Sequence, residues 1–202
     1  MFVLVLVDLL WLCINNSMNY TAHNITEFFN AQAHLVTHII VAQTKFRPYR
    51  KSKRVIDTMA TEAKKDLRHA LNCFAKQLYP NQTNLVIRKP HQYRPLTLVT
   101  IENIHETTDE QQTIHFNISV GNLPKHLCTT MIDIHFRHAW HNKAHQQNDI
   151  YTGAVVDYPS SPSNWFGYIL KDANKDSKLA WTTNGTWDVE NCWIPQAAIN
   201  TD

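Results

Sequence analysis

The stretch HFRHAWHNKAH, residues 135–145, places His135, His138, His141 and His145 within eleven positions. Imidazoles at that density raise metal ligation first, and a cation needs three or four donors converging at about 2 Å. On a helix, His138, His141 and His145 would share one side; on a strand they diverge. From Cys128 to His141 the chain alternates, with Thr130, Ile132, Ile134, Phe136, His138 and Trp140 in one phase. Thr129, Met131, Asp133, His135, Arg137, Ala139 and His141 occupy the other. That period predicts a strand, which disperses the histidines and leaves no metal site. It also sets Asp133 beside His135 in a polar row, spaced about 7 Å apart on one face. General acid–base work is the chemistry such a pair offers, so Asp133 and His135 are the candidate catalytic residues. No P-loop, G-x-G-x-x-G, G-x-S-x-G or H-E-x-x-H accompanies them, and no cofactor is expected.

A second group with chemical potential is KFRPYRKSKR, residues 45–54, which carries Arg47, Arg50, Lys51, Lys53 and Arg54. Three readings apply: a solvated linker, a patch for sulfated glycans or anionic headgroups, and a processing site at the dibasic Lys53-Arg54. The formal net charge is +2. Without this run the remainder is mildly acidic, so no nucleic-acid partner is expected.

The first thirteen residues, MFVLVLVDLLWLC, are apolar except for Asp8. The run is too short to span a bilayer, which takes about 20 residues, but suits a secretory signal over residues 1–17. Sequons stand at Asn15, Asn19, Asn24, Asn81, Asn117 and Asn184. With Asn15 lost in the signal, Asn19, Asn24, Asn81, Asn117 and Asn184 are the expected glycan acceptors of a secreted or lumenal protein without a stable membrane span. Removal of Cys13 with the signal leaves Cys73, Cys128 and Cys192. In an oxidising compartment Cys128 with Cys192 is the expected bridge, because both flank segments that read as sheet.

These groups must be positioned by regular elements. Residues 24–42 repeat apolar side chains at helical spacing, and Asn24 with Glu27 resembles a capping box. Val55 to Leu78 is the clearest amphipathic helix, with Met59, Ala63, Leu67, Ala70, Leu71 and Phe74 on its apolar stripe. Beyond Pro80 the period becomes two. Strands are predicted at 84–88, at 96–105 with a phase slip near Leu98-Val99, at 111–120, 128–141 and 150–156, and as a hairpin of 165–171 with 178–183. Along 111–120, Ile114, Phe116, Ile118 and Val120 oppose Thr113, His115, Asn117 and Ser119, and the sequon Asn117 falls on the wet side. Helices first and antiparallel strands afterwards indicate an α+β domain. The expected division is an N-terminal helical segment over 18–44, the basic linker 45–54, and an α+β domain over 55–202 whose sheet curves around the long helix.

The stretch NWFGYILKDANKDSKLAWTT, together with that element order, resembles the closing hairpin of NTF2-like and cystatin-like α+β rolls across roughly residues 55–190. The resemblance implies a roll shape and no single activity, since such rolls include enzymes, assembly modules and binding domains. The nearest counterpart of a cystatin inhibitory loop is ISVGN, residues 118–122, which lacks the family's Gln. The functional expectation is a secreted, N-glycosylated binding protein without catalysis. Its partner would be another protein or a small apolar ligand, held in a cavity lined by Phe136, Trp140 and Tyr168. The alternatives are a small enzyme using Asp133 and His135 in a cone-shaped cavity, and a cystatin-like protease inhibitor.

Overall fold

A computed structural model describes residues 22–155, 162–171 and 187–195. Within them lies one four-stranded antiparallel sheet, ordered β2-β3-β1-β4. The strands are β1 (Val36–Gln43), β2 (Leu96–Glu102), β3 (His115–Gly121) and β4 (Ile150–Ala154). The helices are α1 (Ala22–Ala31), α2 (Lys53–Leu78), α3 (Thr83–Arg88), α4 (Pro90–Tyr93), α5 (Thr129–Arg137) and α6 (Pro162–Ile169). The α+β class and the long helix on an antiparallel sheet are as the sequence predicts. Among the described residues no helix is long and apolar enough to cross a membrane.

α2 forms where the 3.6-residue period is most regular. Its buried stripe is Ile56, Ala60, Ala63, Leu67, Ala70, Leu71, Phe74 and Leu78, and charged side chains take the opposite side. That stripe packs on Ile40 and Ala42 of β1, Val99 and Ile101 of β2, and Phe116, Ile118 and Val120 of β3. α5 contributes Ile132 and Phe136 to the same core. The other sheet face has its own core, made by Ile25 and Phe29 of α1, Trp165, Phe166 and Ile169 of α6, and Leu96, Leu98, Val36 and Ile39 of the strands. The sheet is therefore sandwiched between helices.

Burial on both faces explains several departures from the sequence reading. The helix expected over 24–42 stops at Ala31, and Val36 to Gln43 is a strand. A strand covered on both sides shows an apolar run rather than alternation, so VTHIIVA imitates a helical stripe. The slip near Leu98-Val99 has the same origin. β2 pairs with β3 in unbroken register, and all seven of its residues are buried. No bulge interrupts β2; a register shift lies instead between Val36 and His38 of β1. Since β1 pairs with both β3 and β4, the residues before the basic run are central to the sheet rather than a separate segment.

Three predicted strands are helices. Residues 84–88 fall in α3, and 165–169 in α6; residues 178–183 lie outside the described set. In the strand predicted over 128–141, everything after the extended cap residue Cys128 is helical as well, with α5 continuing into a π-helical turn over His138–Lys143. The buried positions there are Ile132, Phe136, Ala139 and Trp140, at helical spacings of four, three and one. Ile134 is about half exposed, and its presence in an alternating phase produced the strand reading. Trp140 fills the core beneath β1 and donates its Nε1–H to Gln43 O at 3.0 Å.

Candidate functional site

Although 135–145 is helical, its imidazoles do not gather. His138, His141 and His145 are exposed, and among the described residues no three His, Cys, Asp or Glu side chains converge as a metal site. Asp133 and His135 stand two residues apart on α5, about 200° around the axis from one another. Asp133 is occupied otherwise. Arg137 grips it through Nε and Nη2 at 3.1 and 3.0 Å, and Thr152 donates to Oδ1 at 2.9 Å. His135 loses basicity through burial and the nearby charge of His138. The expected acid–base pair is thus not assembled, and no cone-shaped cavity unites Phe136 and Trp140 with Tyr168. The first two belong to the core beneath α2, and Tyr168 lies on α6 across the sheet.

The cysteines are also placed differently from expectation. Cys73, Cys128 and Cys192 are separate thiols. Cys128 caps α5 and is exposed. The Cys192 thiol sits against β2, accepting from Val99 N–H at 3.2 Å and Trp187 Nε1–H at 3.3 Å. Burial pushes that thiol up to about 12. The Cys128–Cys192 bridge is therefore not made, because the two residues anchor different elements. Among the sequons Asn24 and Asn81 are exposed, whereas Asn19 and Asn184 lie outside the described residues. Asn117 is 1% exposed with its side-chain nitrogen hydrogen-bonded inside, so it does not offer the accessible amide that a glycan requires.

What the sequence reading took as a wet face is a buried polar site. β3 presents His115, Asn117 and Ser119 toward α6, and β2 presents Thr100 and Glu102 in register with them. Glu102, 5% exposed, is the centre. Asn117 Nδ2 donates to its Oε1 at 2.9 Å, and Lys171, just beyond α6, donates to Oε2 at 2.9 Å. His115 Nε2 lies 3.4 Å from Oε2. Burial alone would raise the Glu102 carboxyl; the hydrogen bonds and charges of His115 and Lys171 outweigh it and hold the group below its ordinary value. Burial likewise pulls on Lys171, but Glu102 and then Tyr168 hold its ammonium above the usual lysine value.

Local backbone geometry supports the cluster. Asn103 follows Glu102 in the left-handed region at φ 62°, where Asn is better tolerated than most residues. The turn brings its Nδ2 to 2.8 Å from Thr113 O and 3.2 Å from His115 Nδ1, while its Oδ1 accepts from Gln112 at 2.7 Å. Nδ1 of the imidazole thereby accepts from Asn103, so the ring proton sits on Nε2 and is directed at Glu102. On the other side, Trp165 Nε1 donates to Ser119 Oγ at 2.8 Å and stacks on Tyr168 with centroids 5.9 Å apart. Tyr168 is 47% exposed, and Lys171 Nζ sits 4.0 Å from its ring centre.

Two buried oxygens in this site have no hydrogen-bond partner: Asn117 Oδ1 and Thr100 Oγ1, on directly paired residues. Turning the Asn117 carboxamide by 180° would face its oxygen toward Glu102 Oε1. Two acceptor oxygens 2.9 Å apart repel unless a cation lies between them. The separation fits such an ion: adjacent ligands of an octahedral centre with bonds near 2.1 Å stand about 3.0 Å apart, against the 2.9 Å between Glu102 Oε1 and the amide position that the turned oxygen would take. A carboxylate and an amide oxygen suit Mg²⁺ or Mn²⁺. The sequence reading missed this set because Glu102 was never paired with His115. The available signal was the spacing: polar residues two apart on one phase of an apolar strand, and Tyr168-x-x-Lys171 one turn apart.

The basic run begins at the same end of the sheet. Thr44 N–H and Phe46 O both bond Ile114, next to His115, and Arg50 N–H bonds Thr107 O. Lys45 faces Asp66 at 3.8 Å and Lys53 faces Asp57 at 2.5 Å. Arg47, Arg50, Lys51 and Arg54 are exposed and meet no carboxylate among the described residues. No family model, no curated protein and no solved structure matches this chain.

Proposed function

We propose that the protein is a metal-dependent phosphodiester-cleaving enzyme that acts on nucleic acid and uses Tyr168 as nucleophile. The supporting observation is the buried Glu102–His115–Asn117 set with its unpartnered amide oxygen, overlooked by a half-exposed tyrosine and a lysine. A divalent cation held by Glu102 Oε1 and, with its carboxamide turned, Asn117 Oδ1 would polarise a phosphoryl oxygen, while His115 Nε2–H steadies the other carboxylate oxygen. In the proposed step the Tyr168 oxygen forms a P–O bond and the bond from phosphorus to the departing sugar oxygen breaks. The phenolic proton passes to water, and the departing oxygen takes a proton from water. The product is a phosphotyrosine ester, with no change of oxidation state. Lys171, kept protonated, supplies positive charge where the phenolate and the five-coordinate phosphorus carry negative charge.

A polymeric substrate is favoured by four exposed cations, unpaired among the described residues, on the run that starts at the same end of the sheet as the site. Phosphate contacts of that kind position a strand without reading its sequence. The near-neutral overall charge argues against nucleic acid only if the charge were evenly spread; a site responds to its local field. This reading uses a sheet with helices on both faces and does not need an NTF2-like or cystatin-like curvature.

The test is incubation of the whole chain with a labelled single-stranded oligonucleotide and Mn²⁺ or Mg²⁺, followed by denaturing electrophoresis. The expected result is a labelled protein band that disappears with EDTA and with Tyr168→Phe, and falls strongly with Glu102→Gln. A band of equal intensity in Tyr168→Phe, or no band under any condition, overturns the proposal.

A further inference from the structure

A second polar cavity lies on the opposite side of β2, between α2 and the segment 190–193. It has a volume of about 280 Å³ and is lined by Arg68, Asn72, Arg94, Thr97, Asn191 and Trp193, among others. Thr97 and Glu102 are five residues apart on one strand, about 17 Å at 3.3 Å per residue, and they face opposite ways. The two sites are therefore distinct.

The cavity combines an uncompensated cation with two orphaned polar groups. The Arg94 guanidinium is half-buried, lies 5.5 Å from the centre of the Trp193 ring and bonds Asn72 Oδ1. No carboxylate pairs with it among the described residues, and burial lowers its basicity. Arg68, at the mouth, is held by the exposed Glu190. Trp193 Nε1–H is a buried donor without an acceptor, and Asn191 Oδ1 is a buried acceptor without a donor. The Asn191 orientation is fixed, because its Nδ2 donates to Lys64 O at 3.0 Å and to Asp188 Oδ2 at 2.6 Å. Asn191 is 5% exposed. Buried groups of this kind are paired in folded proteins, by protein, water or ligand.

We propose that this cavity binds a small oxyanion that also carries a hydroxyl group. The oxyanion, phosphate or carboxylate, would accept from Arg94 and from Trp193 Nε1, which are already neighbours. The hydroxyl would donate to Asn191 Oδ1. A bare anion would leave that acceptor unsatisfied, and a neutral polyol would leave the guanidinium without a counter-charge.

Calorimetric titration of the whole chain with glycerol 3-phosphate and with glycolate, in EDTA to empty any cation site, tests the assignment. Glycerol and sulfate, an anion without a hydroxyl, serve as comparison probes. The expected result is saturable binding of one or both hydroxylated anions, tighter than either comparison probe. Trp193→Phe keeps the ring under Arg94 but removes the donor, and should weaken binding about tenfold; Arg94→Gln should weaken it at least as much. Tyr168→Phe should bind unchanged, which separates this site from the one on the other face. Absence of binding by both hydroxylated anions, or affinity unchanged in Trp193→Phe, overturns the proposal.

Discussion

The two faces of the sheet are both buried, yet they are filled with different chemistry. Toward α2 the strands present Ile40, Val99, Ile101, Phe116, Ile118 and Val120, an apolar surface closed by Phe74, Phe136 and Trp140. Toward α6 they are apolar only at one end, around Leu96, Leu98 and Ile39. At the other end they carry Thr100, Glu102, His115, Asn117 and Ser119. Burying that polar row without full pairing is unfavourable, and two of its oxygens are left unpaired. Stability alone would favour leucine or valine there. The difference between the faces is what the proposed function rests on: its residues lie on the side where packing has been given up.

Substitutions can break or sharpen this contrast. The largest effect belongs to the apolar face. Trp140→Ala removes a fully buried ring and leaves Gln43 O unpaired, and should destabilise by about 3–5 kcal/mol in chemical denaturation. A loss under 1 kcal/mol would mean this face is not the packed one. Next is Gly121→Ala. A β-carbon there would stand 1.9 Å from Leu35 O, backbone against backbone, so the edge of β3 must shift. The expected loss is about 1–3 kcal/mol, as for other overpacked positions, read as a lower melting temperature. On the polar face, Asn117→Leu removes an orphaned oxygen but also the donor to Glu102 Oε1, and should destabilise by about 1–3 kcal/mol, less than Trp140→Ala. The same change should weaken Mn²⁺ binding at least tenfold by electron paramagnetic resonance, about 1.4 kcal/mol. A large stability loss with intact Mn²⁺ affinity would reverse the assignment of roles.

Acid should act selectively through Glu102. Its carboxyl is depressed in the folded state, so its contribution is complete above the unfolded value, about 4.3, and is lost as pH falls through the lower folded value. The stability difference between the parent and Glu102→Gln should therefore be constant near neutrality and shrink below about pH 4. A difference that widens on acidification contradicts the pairing with His115 and Lys171. The smallest effect concerns thiols. At pH 8, iodoacetamide should label exposed Cys128 and spare Cys192 until denaturant is added, as followed by intact mass.

Legibility of the sequence followed the number of covered faces. α2 and β3 each have a regular period, and both were readable, β3 down to which residues oppose which. β1 and β2 are covered on both sides, so their apolar runs carry no alternation from which to judge. α5 was misread because exposed Ile134 and Met131 blurred a helical stripe into a period of two. In α6, Trp165, Phe166 and Ile169 are buried at helical spacing, with Leu170 buried just beyond it, but their aromatic and aliphatic types favour strands. The site lay within reach only in part. His115 and Asn117 were correctly phased together, yet joining them to Glu102 requires the β2–β3 register, and joining Tyr168 and Lys171 requires α6 to pack across that face. Both are tertiary facts.

The proposed seat, one acid and one neutral amide, carries a single negative charge. A doubly charged ion seated there retains surplus positive charge, and Lys171 adds more. Such a seat would hold its ion loosely on its own and firmly once an anionic chain arrives, so loading would be ordered by the substrate. Replacing the amide of Asn117 with a second carboxylate should tighten the resting ion and slow turnover, because the surplus that draws the substrate in would be gone.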